Sequence, residues 1–165
     1  MKSVARVYLS LGSNLEPHRH LSAALAALRA RFGALVVSPA YRSAAVGFDG
    51  GAFVNLAVGL DTELPPEALN DWLHALEDLQ GRRRDVPRYS DRTLDIDIVF
   101  YDDLVLDGPG HLQIPRNELQ HAFVLKPIAD IAPDFRHPRS GARMAELWAA
   151  FPAGAEPLQR EVLVE

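Results

Sequence analysis

The chain has 165 residues, a formal net charge of −5 and 48% apolar residues, a composition typical of one globular domain with a proper core. It contains no cysteine, so disulfide bonds, thiolate metal sites and cysteine nucleophiles are excluded. The negative charge argues against a general nucleic-acid-binding protein. No apolar run reaches the length of a membrane span, and residues 1–13 alternate like a strand rather than a signal peptide. We therefore expect a cytoplasmic protein with no membrane partner.

The spacing of apolar residues predicts the element order β-α-β-β-α-β over residues 1–101. Strands are indicated where apolar and polar side chains alternate, and helices where leucines recur every three or four residues. In chain order the predicted elements are a strand over 4–11, a helix from the N-cap Asn14 to Gly33, a strand over 35–42 interrupted or bent at Pro39, a strand over 53–60, a helix from Pro65 to Gly81 and a strand over 93–101. This order predicts an α+β, ferredoxin-like fold, in which two right-handed crossovers place both helices on one face of a four-stranded antiparallel sheet.

Residues 102–165 are predicted to form an appendage within the same single domain, 1–165, whose ferredoxin-like core is 1–101. This part of the chain is rich in proline. We expect a short helical segment near 116–120, an apolar piece over 122–128 and a last helix that buries Met144, Leu147, Trp148 and Phe151.

The two faces of the predicted sheet differ in chemistry. Leu94, Ile96, Ile98 and Phe100 are expected under the helices, together with Leu56. The opposite face is expected to be left for loops, solvent or a ligand, and it carries Phe53, Asn55, Asp95 and Asp97. In the ferredoxin-like order the first strand separates these two pairs, which puts them about 10 Å apart.

Asp95 and Asp97 are two residues apart on a strand, so both carboxylates point the same way. Carboxylates this close repel each other unless a cation lies between them. Ligands that are all oxygen favour Mg²⁺, which takes its remaining ligands from water and phosphates. The alternative is an ordinary solvated strand face.

An arginine-rich loop precedes this strand, with five arginines among residues 82–92. Arg82, Arg84, Arg88 and Arg92 could each bind phosphate oxygens through two hydrogen bonds. Pro87 and Ser90 suggest a loop that closes over a triphosphate as a lid. The alternative is a surface loop in an arginine-rich proteome.

Asn55 and Phe53 could bind a flat heterocycle. The amide of Asn55 offers a donor and an acceptor that match a lactam edge, and Phe53 could stack on the ring. The alternatives are a core phenylalanine and an asparagine that bonds to neighbouring backbone. The turn at 12–14 is not a phosphate-binding P-loop, because it lacks the second glycine and the lysine.

Four stretches together resemble one enzyme family, 6-hydroxymethyl-7,8-dihydropterin pyrophosphokinase. They are YLSLGSNL (8–15), FVNLAVGLDTELPPEAL (53–69), GRRRDVPRYSDRTLDIDI (81–98) and IPRNELQHAFVLKPIADIAP (114–133). The resemblance implies a ferredoxin-like core and transfer of pyrophosphate from ATP to the pterin hydroxymethyl oxygen, with release of AMP. It also implies two Mg²⁺ ions, ATP as co-substrate and a role in folate biosynthesis.

The resemblance also implies roles for individual residues. Asp95 and Asp97 would hold both Mg²⁺ ions and, with Arg82 and Arg92, act in catalysis. The nucleotide would be bound by Glu77, Arg82, Arg84, Arg92, Ile98, Arg116 and His121. The dihydropterin would be bound by Ser43, Val46, Phe53, Asn55, Asp95 and Phe123.

The chain departs from the family at several positions. Tyr89-Ser90-Asp91 replaces a tryptophan and a Gly-Pro pair, and Ser43-Ala44-Ala45 stands where prolines are common. Arg116 replaces a histidine, His121 replaces an arginine, and the segment between them and Phe123 is one residue short. These changes leave a second hypothesis open, that of a non-catalytic pterin-binding or regulatory domain. We expect a monomer that binds no nucleic acid.

Overall fold

An antiparallel sheet forms the centre of the protein. The structure is a computed structural model that describes residues 3–44, 51–81, 93–108 and 112–163. In chain order its elements are β1 (Ala5–Ser13), α1 (Pro17–Phe32), β2 (Val36–Val37), β3 (Ala40–Ser43), β4 (Phe53–Thr62), α2 (Pro66–Leu79), β5 (Asp95–Tyr101), β6 (Leu106–Asp107), β7 (Gln113–Ile114), a 3₁₀ helix (Asn117–Gln120), α3 (Ala122–Ile131), α4 (Met144–Ala150) and β8 (Gln159–Glu161). The mixed α+β class predicted from the sequence is confirmed.

The strands of the main sheet lie in the order β5-β1-β4-β3-β8, and β2 also pairs with β4. The predicted strand over 35–42 is thus two short strands, divided at Ser38 and Pro39 as the proline indicated. Ser38 keeps the segment between the two strands hydrogen-bonded to β4. Its backbone N–H donates to the carbonyl of Ala57, and its hydroxyl accepts from the N–H of Ala57. The sheet is larger than the four strands expected, since β8 from the C-terminal segment pairs with β3.

One face of the sheet packs against α1 and α2, as the alternation predicted. Leu9, Leu56 and Ile96 point into this core, where they meet Leu21 of α1 and Leu69 of α2. All five side chains are almost fully buried. Burial of a leucine or isoleucine contributes roughly 1.5–3 kcal/mol, so this layer is a main source of stability.

The opposite face, which was expected to be left for loops, solvent or a ligand, is covered in part by helices α3 and α4 of the C-terminal segment. Tyr8 and Ala57 of the sheet pack against Val124 and Ile128 of α3, and α4 packs against α3. The predicted binding residues lie on this face at one end of β1, β4 and β5. Gly12, Asn55 and Asp95 are neighbours there.

Phe100 lies in this second core, not under α1 and α2 as predicted. The register between β1 and β5 shifts between Tyr8 and Leu9, so Val99 and Phe100 both join the second cluster. A bulge of this kind adds one residue to a strand and reverses the alternation beyond it. The sequence pattern alone did not reveal the shift.

The start of α1 also differs from the prediction. Asn14 is not its N-cap, because the helix begins at Pro17 after Glu16, whose φ of 45° is left-handed. The side chain of Asn14 instead donates to the carbonyl of Gly51 at 3.1 Å, which links the end of β1 to the residues before β4. Among the helices of the described residues, none is long and apolar enough to cross a membrane.

Candidate active site

Asp95, Gly12 and Asn55 form one row across three neighbouring strands. Gly12 on β1 is the register partner of Asp95 on β5 and of Asn55 on β4. Directly opposed residues in a sheet project from the same face, and two strand spacings separate the outer pair by about 10 Å at the backbone. The separation of Asn55 and Asp95 predicted from the strand order therefore agrees with the structure.

Gly12 is small because other side chains occupy the space above it. A Cβ atom built on Gly12 would overlap the side-chain nitrogen of Asn55 and lie 3.8 Å from Cδ1 of Phe53. Asn55 and Phe53 thus both approach Gly12, and a larger residue there would displace them.

The side-chain carbonyl of Asn55 is a buried acceptor without a donor. Asn55 is 6% exposed, and its Oδ1 accepts no hydrogen bond from any group in the described part of the chain. An unsatisfied buried acceptor costs roughly 1–3 kcal/mol, so such groups in proteins call for an explanation. A ligand that donates a hydrogen bond here would supply one.

Asp95 and Asp97 sit on consecutive rows of the same face, since Asp97 pairs with Ser10. Burial, together with the negative charge of Asp95, raises the pKa of Asp97 well above its usual value, while Arg116 acts in the opposite direction. The side chain of Asp97 nevertheless keeps 32% exposure. The pair is therefore a concentration of negative charge that remains accessible to a cation.

Glu77 of α2 fixes the backbone between the two aspartates. Its carboxylate accepts a hydrogen bond from the N–H of Ile96 at 2.8 Å, and the residue is 2% exposed. Ile98 turns its side chain into the core and is almost fully buried, so any contact it makes with a nucleotide would use its backbone. The nucleotide-binding roles of both residues stay predictions.

Arg116 brings a guanidinium to the aspartate pair. Its Nη2 lies 3.6 Å from Oδ1 of Asp97, and its Nε lies 3.2 Å from Oε2 of Glu118. The backbone N–H of Arg116 donates to the carbonyl of Val99 at 3.3 Å, which anchors the segment to β5. The structure thus brings one of the predicted ATP-binding residues next to the predicted metal ligands.

His121 and Phe123 stand together at the start of α3. Their rings are stacked, with centroids 5.1 Å apart and planes 14° apart. Glu156 contacts His121 and was not foreseen from the sequence, because it lies in a polar turn far along the chain with no motif around it. Ser43 on β3 is the register partner of Phe53 on β4.

Several predicted residues lie outside the described residues. They are Val46, Arg82, Arg84, Arg88 and Arg92. Their predicted roles stay predictions.

The described residues can supply part of a metal site. Within them, no group of three or more histidine, aspartate or glutamate side chains is arranged to hold a metal ion. Asp95 and Asp97 supply two carboxylates, which suits Mg²⁺, because that ion usually keeps waters and completes its shell with substrate phosphates. The donor set therefore fits magnesium bound together with a polyphosphate.

Comparison with protein families gives a match over most of the chain. A sequence model of the family described as 7,8-dihydro-6-hydroxymethylpterin-pyrophosphokinase (HPPK) matches residues 8–133. The chain is 46% identical over 154 residues to the 2-amino-4-hydroxy-6-hydroxymethyldihydropteridine pyrophosphokinase of Pseudomonas aeruginosa, covering 90% of this chain and 93% of that protein. It is 38% identical to the protein of the same name from Synechocystis sp., covering 84% of this chain and 72% of that protein.

Comparison with solved structures agrees on the fold. The chain is similar to HPPK-DHPS of Plasmodium falciparum crystallised with pterin and p-hydrobenzoate, with a TM-score of 0.71 and 14% identity. The similarity covers 90% of this chain and 42% of that one, so the chain spans less than half of the larger protein. A second structure, of HPPK-DHPS in complex with substrates, gives a TM-score of 0.71 and 13% identity, covering 90% of this chain and 44% of that one.

Proposed function

The chain belongs to the 7,8-dihydro-6-hydroxymethylpterin-pyrophosphokinase family, and we propose that it transfers pyrophosphate from ATP to 6-hydroxymethyl-7,8-dihydropterin in folate biosynthesis. In this reaction the hydroxymethyl oxygen forms a bond to the β-phosphorus of ATP. The bond between the β-phosphorus and the oxygen bridging to the α-phosphorus breaks, and AMP leaves with that electron pair. The observation that supports this most is the row in which the buried acceptor of Asn55 and the carboxylate of Asp95 flank Gly12.

The ferredoxin-like arrangement of the core is part of the proposal. The order β5-β1-β4-β3, with α1 and α2 on one face, supports it. We also propose that residues 1–165 form one domain and act as a monomer. The pairing of β8 with β3 and the packing of α3 on β4 support the single domain, because both join the C-terminal third to the sheet.

Asn55 would recognise the edge of the pterin ring. Its orphan Oδ1 can accept from a ring N–H, and the amide nitrogen can donate to the ring carbonyl. Phe53 and Phe123 would flank the ring, with Ser43 and Val46 contributing backbone groups.

Asp95 and Asp97 would hold two Mg²⁺ ions at the triphosphate. When bound, these ions supply the positive charge that shields the phosphates and stabilises charge developing on the transferred group. Burial and the charge of the neighbouring Asp95 raise the pKa of Asp97, and a bound cation would act in the opposite direction. One of the two carboxylates would also take the proton of the attacking hydroxyl.

The remaining chain groups would position and neutralise the phosphates. Arg82, Arg84 and Arg92 would contact phosphate oxygens, and Arg116 would join them from its place beside Asp97. Glu77 and Ile98 would lie near the nucleotide. No covalent nucleophile is required, because alignment of the two substrates and charge stabilisation account for the acceleration.

The proposal is tested by incubating the protein with ATP, Mg²⁺ and the dihydropterin and measuring AMP. Formation of AMP with the pterin pyrophosphate supports it. Calorimetric titration of the folded protein separates the two hypotheses: if the dihydropterin binds while MgATP does not, and no AMP forms, the non-catalytic binding domain is correct instead.

A further inference from the structure

Glu156 lies beyond the segment matched by the family model, which ends at residue 133, yet it contacts His121, whose ring stacks on Phe123. One carboxylate oxygen, Oε1, accepts a hydrogen bond from the backbone N–H of Ala122 at 3.0 Å. The other, Oε2, lies 3.3 Å from Nδ1 of His121. The carboxylate therefore bridges a side chain and the first backbone group of α3.

The start of α3 needs such a partner. The first N–H groups of a helix have no intrahelical acceptor, and the residue before a helix usually supplies one from its side chain. His121 has extended backbone here and makes no side-chain cap. Glu156 takes over this function from elsewhere in the chain, and its negative charge suits the positive end of the helix.

The bridge also determines where an aromatic ring stands. The ring of His121, held by Glu156, stacks on Phe123 at 5.1 Å with an angle of 14° between the planes. His121 keeps 29% of its side chain exposed and Glu156 keeps 37%. Packing alone holds a partly exposed pair of stacked rings only weakly. The orientation of Phe123 therefore depends on how firmly His121 is held.

We propose that Glu156 is a positioning residue for the dihydropterin, acting through His121 to hold Phe123 against the pterin ring. The inference rests on the proposed function, in which Phe123 flanks the pterin. It assigns His121 to the wall of the pterin pocket, behind Phe123, whereas the resemblance placed His121 at the nucleotide. The two assignments predict different substrates to be affected, so they can be separated.

The test measures dihydropterin affinity in variants of Glu156. Calorimetric titration is done with saturating Mg²⁺ and the α,β-methylene analogue of ATP, so that no turnover occurs, and steady-state KM values are measured with ATP. For Glu156→Ala we expect the Kd and KM for the dihydropterin to rise about fivefold, which corresponds to the loss of one or two hydrogen bonds. The kcat and the KM for ATP should stay within about twofold of wild type.

Two further variants sharpen the test. Glu156→Gln keeps an acceptor for Ala122 and should show a smaller rise, which guards against simple unfolding of the alanine variant. His121→Ala should raise the dihydropterin Kd to a similar extent, and combining it with Glu156→Ala should add little, because both act through one contact.

Glu146→Ala is the matched control. Glu146 is another C-terminal glutamate, and it accepts from the backbone and side chain of Arg143 at the start of α4, at 3.0 and 3.1 Å. Its removal should lower thermal stability by a comparable amount and leave dihydropterin affinity unchanged. Equal effects of the two substitutions on dihydropterin affinity would show a general loss of stability and overturn the inference.

Other outcomes are equally decisive. A rise in the KM for ATP with unchanged dihydropterin affinity would overturn the inference and place His121 at the nucleotide. Unchanged affinity for both substrates in an active Glu156→Ala variant would overturn the inference alone. Wild-type protein that neither binds the dihydropterin nor forms AMP would overturn the proposed function, and the inference with it.

Discussion

Asp95 and Asn55 are opposed to the same residue, Gly12, from opposite sides of strand β1. This relationship places a carboxylate suited to a metal-bound phosphate and an amide suited to a heterocycle in a single row of a rigid sheet. Sites built on strands hold their groups more precisely than sites on loops. The geometry is therefore suited to a reaction that joins a ring substrate to a phosphate chain.

Gly12→Ala should weaken binding of the dihydropterin. The added methyl group would overlap the amide of Asn55, which forces that side chain away from its position over β1. We expect the KM for the dihydropterin to rise about tenfold or more, which corresponds to the loss of one well-placed polar contact. The KM for ATP should change much less.

Gly59→Ala provides the control for this substitution. Gly59 lies on the same face of β4 as Asn55. A Cβ atom there would lie 3.1 Å from side-chain atoms of Arg6 and Tyr8, away from the candidate site. It should reduce stability without changing dihydropterin affinity. Similar losses of affinity in both variants would contradict a specific role for Gly12.

Asn55→Leu should separate stability from function. The orphan Oδ1 of Asn55 is buried without a donor among the described residues, and an apolar side chain of similar size removes that cost. We expect the free energy of unfolding to stay the same or rise by about 1 kcal/mol, while dihydropterin binding is lost. A clear loss of stability in denaturant unfolding would indicate that the amide serves the fold instead.

Asp97→Asn should stabilise the protein in the absence of Mg²⁺. Because burial and Asp95 raise the pKa of Asp97, its charged form is less favourable in the folded state than in the unfolded state. Its contribution to stability is thus full below the unfolded pKa and is lost as pH rises through the folded pKa. At neutral pH the neutral amide should raise the melting temperature.

The same variant should lose its response to magnesium. Wild-type protein with ATP analogue should gain melting temperature when Mg²⁺ is added, and Asp97→Asn should gain little while turnover falls by about two orders of magnitude or more. Asp95→Asn should lose turnover similarly. Turnover close to wild type in either variant would remove the metal assignment.

Tyr41 should make the stability depend on pH in the alkaline range. Burial, followed by the hydrogen bond that its hydroxyl donates to Asp130 of α3, raises the pKa of Tyr41 to about 12 from 10.0. The contribution of the protonated Tyr41 hydroxyl to the free energy of unfolding is complete below pH 10 and is lost as pH rises toward 12. In denaturant unfolding, the advantage of wild type over Tyr41→Phe should shrink over this range; an unchanged difference would disprove the link.

Much of the site could be predicted because strand alternation is a short-range rule. The period of two put Asp95 and Asp97 on one face and Asn55 on the corresponding face of β4, and the structure agrees. Phe100 was misplaced because a register shift depends on how two strands pair, which no single strand encodes.

Local sequence patterns could not predict how the C-terminal segment contacts the rest of the protein. The three residues of β8 are too few to show alternation, and the pairing with β3 spans more than a hundred residues of sequence. Glu156 likewise bonds to α3 across 34 residues. Such contacts are fixed by the packing of the whole chain rather than by spacing within one element.

The measurement that tests the central claim most directly identifies the nucleotide product. The protein is incubated with ATP, Mg²⁺ and 6-hydroxymethyl-7,8-dihydropterin, and the products are resolved by phosphorus NMR and chromatography. We predict AMP and the pterin pyrophosphate in equal amounts, because attack falls on the β-phosphorus. Formation of ADP with a pterin monophosphate, or recovery of ATP and the dihydropterin unchanged from folded protein, would contradict the account.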